Sequence, residues 1–202
     1  MVTLEDLDLL RAVYSLGLRE GQATTERLAT ELGAPSEALS QRLDDALSAG
    51  LLRQLGRSYA LSPSGRSTLK IVMIGGAFEI IHPGHLHTIE QARKLGNTLV
   101  VVVATDKTVA RNKGREPVTK QDWRVKLVSA VRGVDVGLPG GQGSIYDTLE
   151  KVRPDVVALG YDQTHNPADI EAEAKRRGLE LSVVRLTSPL PDVKTSKIVS
   201  TL

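Results

Sequence analysis

Residues 71–87 read Ile71-Val72-Met73-Ile74-Gly75-Gly76-Ala77-Phe78-Glu79-Ile80-Ile81-His82-Pro83-Gly84-His85-Leu86-His87. The opening apolar, largely β-branched run reads as a buried strand that stops at Gly75 and Gly76. Glycine at that point gives the close backbone approach or positive φ that a side chain would block. Pro83 fixes φ where a helix begins, and Leu86 to Lys94 reads as that helix. Strand, glycine turn and helix N-terminus in this order put His82 and His85 where unpaired backbone N–H groups already favour an anion. Three residues apart in one turn, both imidazoles can donate to a phosphate and to the charge that grows during phosphoryl or nucleotidyl transfer.

Plainer readings exist for the same residues. Glycines after a strand are common turn punctuation, and His-x-x-His could be half of a metal site or a polar helix start. With 0 Cys, and only His87 and His165 as further histidines, no third and fourth ligand stand at finger-like spacing.

Outward from this stretch, strand and helix signals alternate. Lys70 to Ile74 reads as a strand, Leu86 to Leu95 as a helix, and Thr98 to Ala104 as a strand whose valine run suits burial on both faces. A helix over 121–131, a strand over 134–138, a helix over 144–152, a strand over 155–159, a helix over 168–177, a strand over 179–186 and a closing helix over 195–202 follow. This alternation predicts an α/β fold, a doubly wound parallel sheet of Rossmann-like type, with ligands at the C-terminal ends of the strands. The turn from Gly75 to His85, Thr105-Asp106-Lys107 and Gly160-Tyr161-Asp162-Gln163 all fall at those ends.

The 202 residues are 41% hydrophobic and 25% charged, which suits one sizeable domain and a small one rather than a disordered chain. A net charge of +2 does not announce a nucleic-acid or membrane surface. No apolar run approaches the roughly 18 residues that span a bilayer. Without Cys there is no disulfide framework, and no charged leader with a cleavage site opens the sequence, so a cytoplasmic protein with no membrane partner is expected. Charge divides unevenly: through Thr68 there are 7 Arg, no Lys and 9 acidic residues, and the remainder carries the excess of base and all four histidines. Pro63, Ser64 and Gly65 punctuate the boundary, which gives domains over 1–68 and 69–202.

In the first domain, Leu4, Leu7, Leu9, Leu10, Val13 and Tyr14 recur at helical spacing behind Thr3, a fitting N-cap. A second helix starts at Thr24 or Thr25 and ends at Gly33; a third runs from Pro35-Ser36-Glu37 to about Ser48. Leu51 to Leu55, Gly56-Arg57-Ser58 and Tyr59 to Leu61 read as a hairpin. Three helices and a hairpin resemble a small winged helix-turn-helix domain, in which the third helix enters the DNA major groove. Here that helix has Arg42 against Glu37, Asp44 and Asp45, so DNA binding, if any, is expected to be weak. Arg53, Arg57 and Arg66 could form a modest patch on the wing.

The second domain resembles the cytidylyltransferase-like nucleotidyltransferases, whose pattern reads G-[TS]-F-D-x-x-H-x-G-H, against Gly76-Ala77-Phe78-Glu79-Ile80-Ile81-His82-Pro83-Gly84-His85 here. Ala77 lacks the usual hydroxyl, a possible phosphate or nucleotide contact, and Glu79 replaces the usual Asp. Asn112-Lys113-Gly114-Arg115-Glu116-Pro117 looks like the family's basic loop, and Trp123-Arg124 with Val134-Asp135 looks like its Arg-helix and V-D strand. Leu159-Gly160-Tyr161-Asp162-Gln163 is similar to the L-G-x-D-Q segment of archaeal FAD synthetases, the most specific match. Lys194-Thr195-Ser196-Lys197-Ile198 resembles the Ser/Thr-rich start of the terminal helix in cytidylyltransferases.

The resemblance implies transfer of a nucleoside monophosphate from ATP or CTP to a phosphate-bearing acceptor, best matched by FMN adenylyltransferase. It implies catalytic roles for His82, His85, Lys113 and Arg124, with Lys113, Arg115 and Arg124 drawing acceptor and pyrophosphate together. It implies nucleotide contacts at Gly75, Gly76, Ala77, Phe78, Pro83, Gly84, Gly160, Asp162, Thr195 and Ser196. Mg²⁺ is expected to arrive with the triphosphate, with no metal ligands from the protein, and a homo-oligomer, a dimer, is expected. A cytidylyltransferase acting on a phosphorylated alcohol, and a nucleotide- or flavin-responsive DNA-binding regulator, are the alternatives.

Overall fold

The computed structural model describes residues 3–187. It divides the chain into two compact units, meeting in sequence between Leu69 and Lys70.

In the first unit α1 (Leu4–Glu20) starts at a capping box between Thr3 and Asp6 and stops at Gly21, whose φ of 75° closes the helix in the left-handed region. It runs about a turn beyond residues 3–16, where the apolar spacing of the sequence predicts the helix. β1 (Ala23–Thr24), α2 (Thr25–Leu32), α3 (Ser36–Ser48), β2 (Leu52–Leu55), β3 (Ser58–Leu61) and α4 (Pro63–Thr68) follow. The strands form an antiparallel sheet in the order β1-β3-β2. Leu9, Leu10, Leu16, Leu28, Leu39 and Leu43 fill the core beneath it. Neither β1 nor α4 is expected from the sequence. The Pro63-Ser64-Gly65 punctuation at the domain boundary is a helix start: Ser62 caps it and Pro63 occupies its first turn. Gly65 is required there, because a Cβ would lie 2.0 Å from the Leu51 carbonyl oxygen.

The second unit contains β4 (Ile71–Gly76), α5 (Pro83–Arg93), β5 (Thr98–Val103), α6 (Asp106–Lys113), α7 (Gln121–Ser129), β6 (Val136–Pro139), α8 (Ile145–Val152), β7 (Val156–Leu159), α9 (Pro167–Arg176) and β8 (Ser182–Arg185). Its five strands are all parallel, in the order β6-β5-β4-β7-β8. Strand order reverses between β4 and β7, which opens a crevice at their C-terminal ends where ligands of such sheets bind. Val72, Ile74, Leu99, Val101, Val103 and Ala158 lie in one buried cluster with Ile89 and Ala92 of α5 and Val128 of α7. Covering of both faces is why β5 can be a near-unbroken valine run.

Three segments differ from expectation. β4 continues through Gly75 and Gly76, which pair with Val102 and Val103 of β5. The segment read as a basic loop is partly helix, since Lys113 ends α6, capped by Thr105 and closed by Gly114 at φ 67°. The last strand is short because Leu179 N–H turns back to Ala174 O to close α9. The expected helix over 195–202 lies outside the described residues. Among the described residues no helix is long and apolar enough to cross a membrane.

Candidate active site

The site is built at the reversal point. Gly76 has no room for a side chain: a Cβ would meet the Phe78 ring at 2.9 Å. The positive φ expected at the glycines occurs instead at Phe78, at 49°, held there by burial of its ring. The turn so formed delivers His82 as the N-cap of α5, with Pro83 in the first helical turn.

His85 N–H donates to His82 O at 2.9 Å, which brings the two imidazoles face to face with ring centres 3.9 Å apart and 26° between planes. The His85 ring also packs on Phe78, 4.9 Å between centres. Burial pushes His85 down to about 4, with the charges of His82 and Lys113 adding to the effect and a hydrogen bond to the Ile80 backbone and the charge of Asp162 opposing it. His82 is lowered as well, by burial and then by Lys113. Burial thus favours the neutral form of both rings, and the Nδ1 of each is buried without a hydrogen-bond partner. Unpaired polar atoms at that depth are costly, and a ligand oxygen would satisfy them.

The loop after β7 is tied to the same place. Gln163 Nε2 donates to Gly75 O at 2.8 Å, and its Oε1 accepts from Gly160 N–H at 2.9 Å. Arg185, at the end of β8, donates to the carbonyls of Gly160, Gln163 and His165 at 3.1, 2.6 and 2.6 Å. Asp162 is thereby fixed close enough to His85 to influence its charge. Neither Gln163 nor Arg185 is assigned a role by the sequence; an arginine closing a strand at the ligand edge is the only signal for the second.

Glu79 anchors the third wall. Its side chain is fully buried and accepts from Lys113 Nζ, from Arg115 Nη1 at 2.9 Å and Nη2 at 3.3 Å, and from Val118 N–H at 3.1 Å. Burial alone would raise this carboxyl, but the Lys113 and Arg115 hydrogen bonds, with the Val118 N–H, hold it at about 2. Lys113 and Arg115 keep 29% and 34% of their side chains exposed, so both can reach a ligand as well as Glu79.

Arg124 takes a position unlike the phosphate contact the resemblance implies. Its side chain is fully buried, and it donates through Nε to Thr119 O (3.0 Å), through Nη1 to Ala77 O (2.5 Å) and through Nη2 to Asp106 Oδ1 (2.6 Å). With all three nitrogens committed to protein acceptors, Arg124 braces the glycine-phenylalanine turn. Gln121 at the start of the same helix bonds Val103 O and Gly140 O, closing the ends of β5 and β6. The structure thus brings together Gly75, Gly76, Ala77, Phe78, Pro83, Gly84, both histidines, Lys113, Arg115 and the Gly160–Asp162 loop, whereas Thr195 and Ser196 lie outside the described residues.

Residues 73–201 match the family model described as cytidylyltransferase-like. The chain belongs to that family. A protein named FAD synthase from Aciduliprofundum boonei is 46% identical over 115 residues, covering 57% of this chain and 76% of that protein. Another, from Picrophilus torridus, is 39% identical over 125 residues, 62% of this chain and 89% of its own length. Among solved structures, the lipopolysaccharide core biosynthesis protein from Thermoplasma volcanium GSS1 superposes with a TM-score of 0.57 at 38% identity, over 59% of this chain and 98% of that one. Within this cytidylyltransferase-like domain the family's Asp position is filled by Glu79, and the site's basic wall is anchored on that longer acid.

Proposed function

We propose that this chain is an FMN adenylyltransferase, making FAD and pyrophosphate from FMN and ATP. The observation that carries nucleotidyl transfer is the stacked, neutral His82–His85 pair, with unpartnered Nδ1 atoms, at the N-terminus of α5. The relatives named FAD synthase support FMN and ATP as the substrates.

No protein nucleophile is needed. An oxygen of the FMN phosphate attacks the α-phosphorus of ATP, a new P–O bond forms, and the bond to the β-phosphate oxygen breaks with its electron pair leaving on pyrophosphate. His82 and His85 donate N–H hydrogen bonds to the phosphate oxygens whose charge grows, fixed there before reaction by the helix turn. Lys113 and Arg115 draw the pyrophosphate and the acceptor phosphate together in line. Backbone from Gly75 to Phe78 with Pro83 and Gly84 forms the nucleotide floor, and Asp162, with Gly160, contacts ribose or base.

Among the described residues no three carboxylate, imidazole or thiolate groups converge, and the Glu79 carboxylate is taken by two cations. On this reading Mg²⁺ enters with the triphosphate substrate, carried by phosphate oxygens and water. Product mass after incubation with ATP or CTP and a panel of FMN, choline phosphate, glycerol phosphate and phosphopantetheine tests the substrate pair. Transfer to FMN from ATP supports the reading; transfer only from CTP to a phosphorylated alcohol replaces it with the cytidylyltransferase alternative.

A further inference from the structure

Among the described residues Glu79 is the one buried carboxylate, and the mechanism above does not use it. It stands three residues before His82, in the same turn, and receives its donors from one arm of the chain running from Lys113 to Thr119. Lys113 and Arg115 reach its carboxylate, Val118 N–H joins them, and Thr119 Oγ1 donates to its backbone carbonyl at 3.4 Å. Arg124 links the same two segments from another side, through Ala77 O and Thr119 O.

One carboxylate faces two cations, so the cluster keeps a surplus positive charge, and both cations are partly exposed. Lys113 also lies near enough to depress both imidazoles. Through its pair with Glu79, three residues before His82, the ammonium is tied to the turn that carries the histidines. A surplus charge held in one place attracts a polyanion and spends no side-chain entropy at the moment of binding.

We propose that Glu79 is a positioning residue that holds Lys113 and Arg115 as a preformed pyrophosphate clamp beside His82 and His85. The proposal rests on the nucleotidyltransferase reading of the site and adds to it the residue that organises the basic wall.

Positioning and charge cancellation predict opposite signs. Glu79→Gln removes a negative charge, so if Glu79 only neutralised its neighbours, inorganic pyrophosphate would bind more tightly. If Glu79 positions them, pyrophosphate affinity measured by calorimetry falls by about 5-fold or more and kcat/KM by on the order of 10-fold. Glu79→Asp, which keeps the charge, is expected to stay within about 3-fold of wild type. In a Lys113→Met/Arg115→Met background, adding Glu79→Gln is expected to change affinity and kcat/KM by less than about 2-fold, because its effect runs through those two cations.

Tighter pyrophosphate binding in Glu79→Gln, or an undiminished effect in the doubly substituted background, overturns the proposal. Where Glu79→Gln does not fold, as judged by thermal melting, Glu79→Asp and the Lys113→Met/Arg115→Met variant carry the test. Retained binding in the first and lost binding in the second support it; wild-type binding in the second overturns it. Calorimetry with pyrophosphate reads the clamp without turnover, so failure of the wild-type chain to make FAD would sink the functional reading separately.

Discussion

The imidazole of His85 stacks on that of His82 at 3.9 Å while its own Nδ1, like that of His82, finds no protein partner. Two aromatic rings pressed together with unpaired polar atoms gain little for folding. On the proposed reading their cost is recovered when phosphate oxygens accept from them, as in a site preorganised for transition-state charge.

His82→Ala and His85→Ala are each expected to lower kcat by on the order of 10²-fold, with the fold retained, because each removes one donor to the developing charge. Steady-state kinetics beside circular dichroism of each variant checks this. A near-wild-type rate in either would remove that histidine from the mechanism.

The depressed histidines set a pH dependence whose sign is fixed. His85 falls from its ordinary 6.5 to about 4 in the fold, so the unfolded chain binds the extra proton first. Stability is then at its full value above about pH 6.5 and declines as pH drops toward 4. Glu79, lowered from 4.5 to about 2, continues the decline, since its contribution is present above 4.5 and is lost as pH falls toward 2. Urea titrations between pH 7.5 and 4 are expected to show a steadily falling midpoint, and a ring-proton NMR titration is expected to place His85 near 4. A titration near 6.5 would contradict the buried, neutral pair.

Arg124→Met is expected to destabilise the protein by about 2–4 kcal/mol, because the carbonyls of Ala77 and Thr119 lose their donor and Asp106 loses its cation. Activity should fall with it through a loosened turn. Chemical denaturation is the measurement; a change below about 0.5 kcal/mol would show that those acceptors are satisfied some other way.

Arg124 also shows where the sequence is hard to read. A helical period over Gln121–Ser129 would bury Trp123 and Leu127 and expose the charge between them. In the structure Trp123 is 61% exposed and Leu127 52%, while Arg124 is fully buried. The reason is tertiary: Ala77 O, Thr119 O and Asp106 converge from three segments that only the folded sheet brings together. The parallel sheet and the histidine turn were legible, because β-branched runs and the Gly-to-His spacing are local signals. α6 was not, since Asp106-Lys107-Thr108-Val109-Ala110-Arg111-Asn112-Lys113 buries Val109 alone and carries no apolar stripe; its caps, Thr105 and Gly114, were the available signal. The Glu79 anchor was likewise hidden, because its partners stand 34 to 39 residues away.

For the first unit, weak and strongly salt-dependent duplex binding, or none, is expected. Arg42 is the single basic residue of α3, and it is already committed, donating to Glu5 O on α1. Fluorescence anisotropy with duplex DNA at near-physiological salt checks this. Nanomolar, sequence-specific affinity abolished by Arg42→Ala would favour a regulator.

The most direct test of the whole account is the reaction itself. The purified full chain, given ATP, FMN and Mg²⁺, is expected to release FAD and pyrophosphate in a 1:1 ratio, read by mass spectrometry and a pyrophosphate assay, as in-line transfer without a protein intermediate requires. A folded protein that forms no FAD from this mixture, while transferring a nucleotide from CTP to another acceptor or to none, would contradict it.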